Sequence, residues 1–267
     1  MKRIVYFWAL IFIALSCEDA IDVDLNDSEP KLVIEATVTA LVDGSSNATV
    51  RLTTTAPFFD TQIPFVDSAS VLISSSDGQS YPFTYTDEGL YVNTDLNPSF
   101  GISYTLQVIY QGETYTATTT LISAVPLEFV EQRNDGGISG EDIELKAFFT
   151  DPAGVENYYF FEGLSTKGNV FDAYDDRFFD GNPIFGFYLI EDIEPGDTVL
   201  FNLHGVDEQF FNFMITLLQQ STDLSDGPFE TQPATVRGNI INTTNSDNFP
   251  LGYFRISELF SLEYIVQ

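Results

Sequence analysis

The chain has 267 residues, enough for one large domain or two of medium size. It carries 10 basic and 40 acidic residues, a formal charge of −30, which argues against a nucleic-acid partner because phosphate binding needs a basic face. Hydrophobic residues make up 44% and aromatic residues 15%, too many for a disordered acidic chain, and a single cysteine excludes a disulfide scaffold.

The first residues read as an address. Lys2 and Arg3 precede an unbroken apolar run of 12 residues, Ile4 to Leu15. That run is short of the roughly 20 residues a spanning helix needs, and with its basic start it has the form of a secretory signal. Ser16 and Cys17 follow, then Glu18 and Asp19. Ala14-Leu15-Ser16-Cys17 resembles a bacterial lipobox. The resemblance implies that the Cys17 thiol receives a diacylglycerol and its new amino terminus an acyl chain. Removing residues 1–16 leaves 251 residues and a charge of −32, because it takes away two bases and no acids. It also leaves no tryptophan, since Trp8 is the only one. At about 0.8 kcal/mol per buried methylene, several acyl chains would anchor a soluble body without a membrane span. Glu18 and Asp19, with Asp22 and Asp24 after them, resemble the surface-export signal of Bacteroidota lipoproteins.

Residues 17–30 are expected to form an acidic tether ending at Pro30. Strand signals then follow at short spacing: 31–39, 48–54, 70–75, 81–85, 89–93, 103–110 and 113–121. Asp77-Gly78 and Gln111-Gly112 supply hairpin turns. About seven short strands with period-2 patterning point to an immunoglobulin-like sandwich over 31–124. Pro126 marks the expected boundary. Beyond it threonine thins out, and phenylalanine and tyrosine multiply. Strands are expected at 142–150, 155–164, 184–190, 198–204, 234–241 and 253–258, giving a larger β-rich domain over 125–267.

One amphipathic helix is expected near 207–221. Asp207 serves as its N-cap, and Phe210, Phe211, Met214, Leu217 and Leu218 form one stripe. Such a stripe is expected in a core; the alternative is a lid over a binding groove. Residues 172–183 read as an acidic loop. Asp172, Asp175, Asp176 and Asp180 in it offer hard oxygen ligands suited to calcium, but their spacing is not that of an EF-hand and a solvated loop is the expected reading, with calcium the alternative.

His204 is the only histidine and lies on an apolar strand pattern, so it is expected to be structural. With no other cysteine in the body, Ser-His-Asp and Cys-His catalysis find little material, and zinc bound by Cys and His is excluded. A carboxylate pair of the glycosidase kind is a matter of chance among so many acids.

Several stretches taken in order are similar to one family. They are Ile21-Asp22-Val23-Asp24-Leu25 through Glu29-Pro30-Lys31-Leu32-Val33-Ile34-Glu35, Ala56-Pro57-Phe58-Phe59-Asp60, and Gly101 to Ala117. In the second half they are Asp151-Pro152 with Asn157-Tyr158-Tyr159-Phe160-Phe161, Pro195 to Val199, Val206-Asp207, Gly238-Asn239-Ile240 and Leu251-Gly252-Tyr253-Phe254. Together they resemble the Bacteroidota lipoproteins of domain-of-unknown-function family 4249. That resemblance implies a surface protein of the outer membrane, encoded near TonB-dependent transporters and accessory to them, with no catalytic residues to carry over. The function expected is therefore non-enzymatic binding of a ligand, a transporter, or both. An adhesive or envelope-structural role and a carboxylate-dependent hydrolase are the alternatives.

Overall fold

The computed structural model describes residues 29–57, 60, 62–137, 139–221 and 235–267. The signal, Cys17, Glu18, Asp19 and nearly all of the tether lie outside these residues. The first half contains β1 (Leu32–Leu41), β2 (Ser46–Thr54), β3 (Ser70–Ser75), β4 (Ser80–Pro82), β5 (Thr84–Tyr85), β6 (Leu90–Asn93), β7 (Ser103–Tyr110) and β8 (Glu113–Ile122). The β7–β8 hairpin turns on Gln111 and Gly112, both at positive φ (50° and 80°), as a two-residue turn between twisted strands requires. The second half contains β9 (Phe129–Gly136), β10 (Asp142–Thr150), β11 (Tyr158–Leu164), β12 (Asn169–Asp175), β13 (Pro183–Leu189), β14 (Thr198–Val206), α1 (Glu208–Ser221), β15 (Ile241–Asn242) and β16 (Leu251–Ile265). Among the described residues the fold is mostly β, sandwich-like, with one helix.

Strand β16 organises the whole molecule. Its first part, Leu251 to Leu259, runs parallel to β1, and its last part, Leu259 to Ile265, runs antiparallel to β14. One sheet therefore continues from β5, β6, β2 and β1 through β16 to β14, β11 and β12. The β4-β3-β7-β8 layer covers its first half, joined edgewise where Leu121 and Ile122 of β8 meet Ile256 and Ser257. A separate three-stranded sheet, β13-β10-β9, supplies the strands opposite the other half.

Two cores result. The first is aliphatic, with Ile34, Ala36, Val38, Val50, Leu52, Ile73, Leu106 and Val108 at its centre. The second is aromatic, built on Phe149, Tyr159, Phe161, Tyr188 and Phe201. The expected partition at 124/125 does not separate them. Ile240, Phe254 and Ile256, from the C-terminal stretch, complete the first core. The same even-numbered face of β16 then carries Tyr264 and the following Val266 into the second core.

Four further differences follow. Strand β16 runs on to Ile265 instead of stopping near 258, because β14 gives its last residues a partner that alternation alone does not announce. Asn169–Asp175 is strand β12 and not the start of a loop, since β11 pairs its whole length. Strand β9, with exposed polar residues, takes its pairing from β10. The strand expected over 234–241 reduces to the short β15, with Ala234 outside the described residues.

Candidate functional site

The odd-numbered face of β1 and β16 does not look into either core. Val33, Glu35 and Thr37 on β1 pair with Leu251, Tyr253 and Arg255 on β16. Helix α1 packs on β12 and β11 and borders this face across a groove, touching β16 at Tyr253. Asp207 caps it, accepting a hydrogen bond from the Phe210 amide at 2.7 Å, and the same oxygen accepts one from the Tyr253 hydroxyl at 3.0 Å. The cap thus ties the helix start to the strand beneath it. Glu208 adds negative charge to the first turn, where the helix dipole favours it.

Only the first residue of the helical stripe is core. Phe210 is buried against Phe160 and Tyr253 in edge-on ring contacts at 5.6 Å and 5.0 Å. Phe213, Met214, Leu217 and Leu218 are partly or largely exposed and line a cavity of about 1270 Å³ between helix and sheet. The stripe therefore roofs a groove rather than filling a core, which was the less expected of its two readings. Phe160 and Phe171, stacked at 6.2 Å, form one wall. Pro30, Lys31, Thr55 and Pro57 stand at the other end, with Val236 beside them.

Next to the groove the sheet carries a polar network. Arg255 Nη1 donates to His204 Nδ1 and to Ser257 Oγ, each at 3.1 Å. Because Nδ1 accepts, His204 carries its proton on Nε2, which donates to Glu162 Oε2 at 3.2 Å. Asn202 Nδ2 donates to the same Glu162 oxygen at 3.0 Å and accepts from Ser261 Oγ at 2.7 Å. Burial, helped by the nearby Arg255 charge, pushes His204 down to about 4, so it is neutral at physiological pH. Burial also pushes the Arg255 guanidinium down to about 10, against the pull of Glu162. Burial alone would raise Glu162, but the bonds from His204 and Asn202 and the Arg255 charge hold it below the usual carboxylate range. His204 is the structural histidine the strand pattern predicts, held on both nitrogens. Arg255 escapes sequence reading; its one signal is a base inside an apolar strand of a base-poor chain.

The groove floor depends on a tight joint. A Cβ at Gly252 (φ 92°) would lie 2.1 Å from the Ile34 carbonyl oxygen, and one at Gly238 would lie 1.8 Å from that of Gly252. Asn239 then imitates a strand: its Nδ2 donates to the Phe254 carbonyl at 2.8 Å and its Oδ1 accepts from the Phe254 amide at 2.9 Å. The Gly238-Asn239 and Gly252 motifs thus serve close packing.

The four expected calcium ligands do not converge. Asp172 and Asp175 lie on β12; Asp172 accepts from the Ala173 amide, and Asp175 pairs with Arg177. Asp176 and Asp180 do come together, and the buried Asp151 joins them, with ligand atoms within 4.8 Å of one another. Each of the three already serves the loops around it. Asp151 accepts from Tyr159 Oη at 2.7 Å and the Gly181 amide at 3.1 Å, Asp176 from the Asn157 amide at 2.7 Å, and Asp180 from the Gly154 amide at 2.6 Å. Bracing the 151–157 turn against the 176–182 turn accounts for the cluster.

No curated protein matches this sequence. Among solved structures, a segment of two fibronectin type III domains from chicken tenascin covers 67% of this chain and 92% of its own length, at 15% identity and a TM-score of 0.21. A cytokine receptor complex covers 64% and 83%, at 14% identity and a TM-score of 0.24. The chicken interferon gamma receptor alpha chain covers 67% and 89%, at 10% identity and a TM-score of 0.20. Overlaps this loose add nothing to the strand order described above. The family described as Domain of unknown function (DUF4249) matches residues 18–261, nearly the whole body from the residue after Cys17 onward, and the chain belongs to that family.

Proposed function

We propose that this chain is a non-enzymatic lipoprotein of the outer membrane, acylated on Cys17 and displayed at the cell surface. There it works as the accessory, ligand-binding partner of a TonB-dependent transporter, with the groove under α1 as the ligand seat. The observation that carries the reading is the run from basic start through apolar stretch to Ser16-Cys17, ending one residue before the family match begins. The acids from Glu18 onward favour display outside the cell. An anchored body with an apolar groove suits capture and handover of a ligand. The network of Glu162, His204 and Arg255 suits positioning, since a neutral histidine held on both nitrogens is a poor proton acceptor.

The test compares wild type with Cys17→Ala in cells fed a fatty-acid analogue. Label should enter the wild type alone, and added protease should digest the wild type on intact cells. Detergent extracts should yield the protein together with a large outer-membrane β-barrel. Equal labelling of both chains sinks the anchor, protection from protease sinks surface display, and extraction without a barrel sinks the partnership.

A further inference from the structure

We infer that the groove binds a long-chain carboxylate, with the carboxyl group on Arg255 and the acyl chain lying along the β1–β16 ladder beneath α1. This deepens the ligand-binding part of the proposed function and rests on it.

The charges around the groove run against those of the whole protein. Acids outnumber bases 40 to 10 in the chain, yet Lys31 and Arg255 line the groove against one acid, Glu35. A third base stands near its open end, where Lys31 Nζ and the Arg237 guanidinium lie 3.9 Å and 3.5 Å from the centre of the Phe249 ring. Lys31 and Arg237 stand at the far end of the groove from Arg255, beyond the about 8 Å over which charges act at physiological salt, so Arg255 is the base that meets the carboxyl group.

Arg255 carries the specificity. No carboxylate among the described residues lies within ion-pair distance of its guanidinium, since Glu162 reaches it only through His204. Both of its described hydrogen bonds use Nη1, and among the described residues Nη2 and Nε find no acceptor. Those two nitrogens form the edge that takes a carboxylate in two parallel bonds. The other walls along the acyl path are mainly apolar, with Phe213, Met214 and Leu217 above and Val33 and Leu251 below, while Glu35 and Thr37 are the polar residues of the β1 floor. From Lys31, just before β1, to Thr37 the floor of the groove extends about 20 Å, at about 3.3 Å per residue, which matches an extended long-chain fatty acid. An acyl chain there gains the area term of apolar burial, and its head meets a guanidinium whose described partners, His204, Ser257 and the Phe160 and Phe210 rings, include no anion.

The experiment uses residues 17–267 carrying Cys17→Ser, which removes only the acyl acceptor. The fluorescent fatty acid cis-parinaric acid is titrated in, then displaced by palmitic acid, hexadecanol or methyl palmitate. The expected result is one saturable site, with palmitic acid displacing the probe at a concentration at least tenfold below that of the alcohol or the ester. Leu217→Asp, at an exposed helix position, should weaken probe binding severalfold without unfolding the protein, and Arg255→Gln should abolish the preference for the acid. If Arg255→Gln does not fold, the comparison of acid with ester on the parent chain decides. Lack of saturation, equal displacement by acid and ester, or indifference to Leu217→Asp overturns the inference. Because no transporter is present, these failures are separate from a failure to recover a β-barrel from membranes.

Discussion

On one face of β1 and β16 stand Leu32, Ile34, Ala36, Val38, Phe254 and Ile256, all buried in the first core. On the other stand Val33, Glu35, Thr37, Leu251, Tyr253 and Arg255, which line the groove beside the helix. The same two strands, in the same register, thus present an apolar face and a mixed one. A fold seeking stability alone would have filled both with aliphatics, since a buried ion network is at best a weak stabiliser. Keeping a guanidinium beside a cavity, tethered through one nitrogen to a neutral histidine, makes sense where something else supplies the remaining contacts.

The two faces should respond differently to truncation and to acid. Phe254→Ala, on the core face, should have the largest effect, costing about 3–5 kcal/mol in urea unfolding because a fully buried ring leaves a cavity behind. A cost below about 1 kcal/mol would mean that β16 does not close the first core.

On the mixed face, stability should depend on pH through His204. Its pKa is about 4 folded and about 6.5 unfolded, so the unfolded chain binds the proton first. The contribution is complete above pH 6.5 and is lost as pH falls toward 4, at most about 3 kcal/mol in all. Glu162, lowered in the fold, adds loss in the same direction at the acid end. His204→Gln should flatten the slope of stability between pH 6.5 and 4; an unchanged slope would place the titration elsewhere.

Asp151→Asn should cost about 1–3 kcal/mol, because a buried carboxylate holding Tyr159 Oη and the Gly181 amide loses its charge-assisted bonds. Leu217→Ala should change stability by no more than about 0.5 kcal/mol, as for other exposed positions. A large loss there would show that the stripe is core after all.

Much of the first half was legible from sequence because each strand there pairs with a neighbour in the chain and has one wet face. Val50 and Leu52 alternate cleanly, and Gly78 and Gly112 mark their turns by positive φ. The second half hides its pairing. Strand β16 joins partners more than 200 residues apart in β1 and about 60 apart in β14, so no local pattern fixes its length. Asp172 and Asp175 looked like loop ligands because charge masks a strand whose other residues, Phe171 and Ala173, face ring contacts and burial. The capped helix was readable, since Asp207 and the stripe are local features. What the stripe covers was not, because helical period records that one side is apolar and not whether protein or a cavity lies beneath it. Arg255 was invisible for a related reason: its partner His204 comes from another strand.

The claim that the groove under α1 is a ligand seat can be tested at a single position. After residues 1–16 are removed the chain has no tryptophan, so Leu217→Trp places a lone reporter on the groove roof and Val42→Trp places one on an exposed residue away from it. Adding palmitic acid should change the emission of the first saturably and leave the second unaltered. No change at 217, or equal change at both positions, would contradict the account.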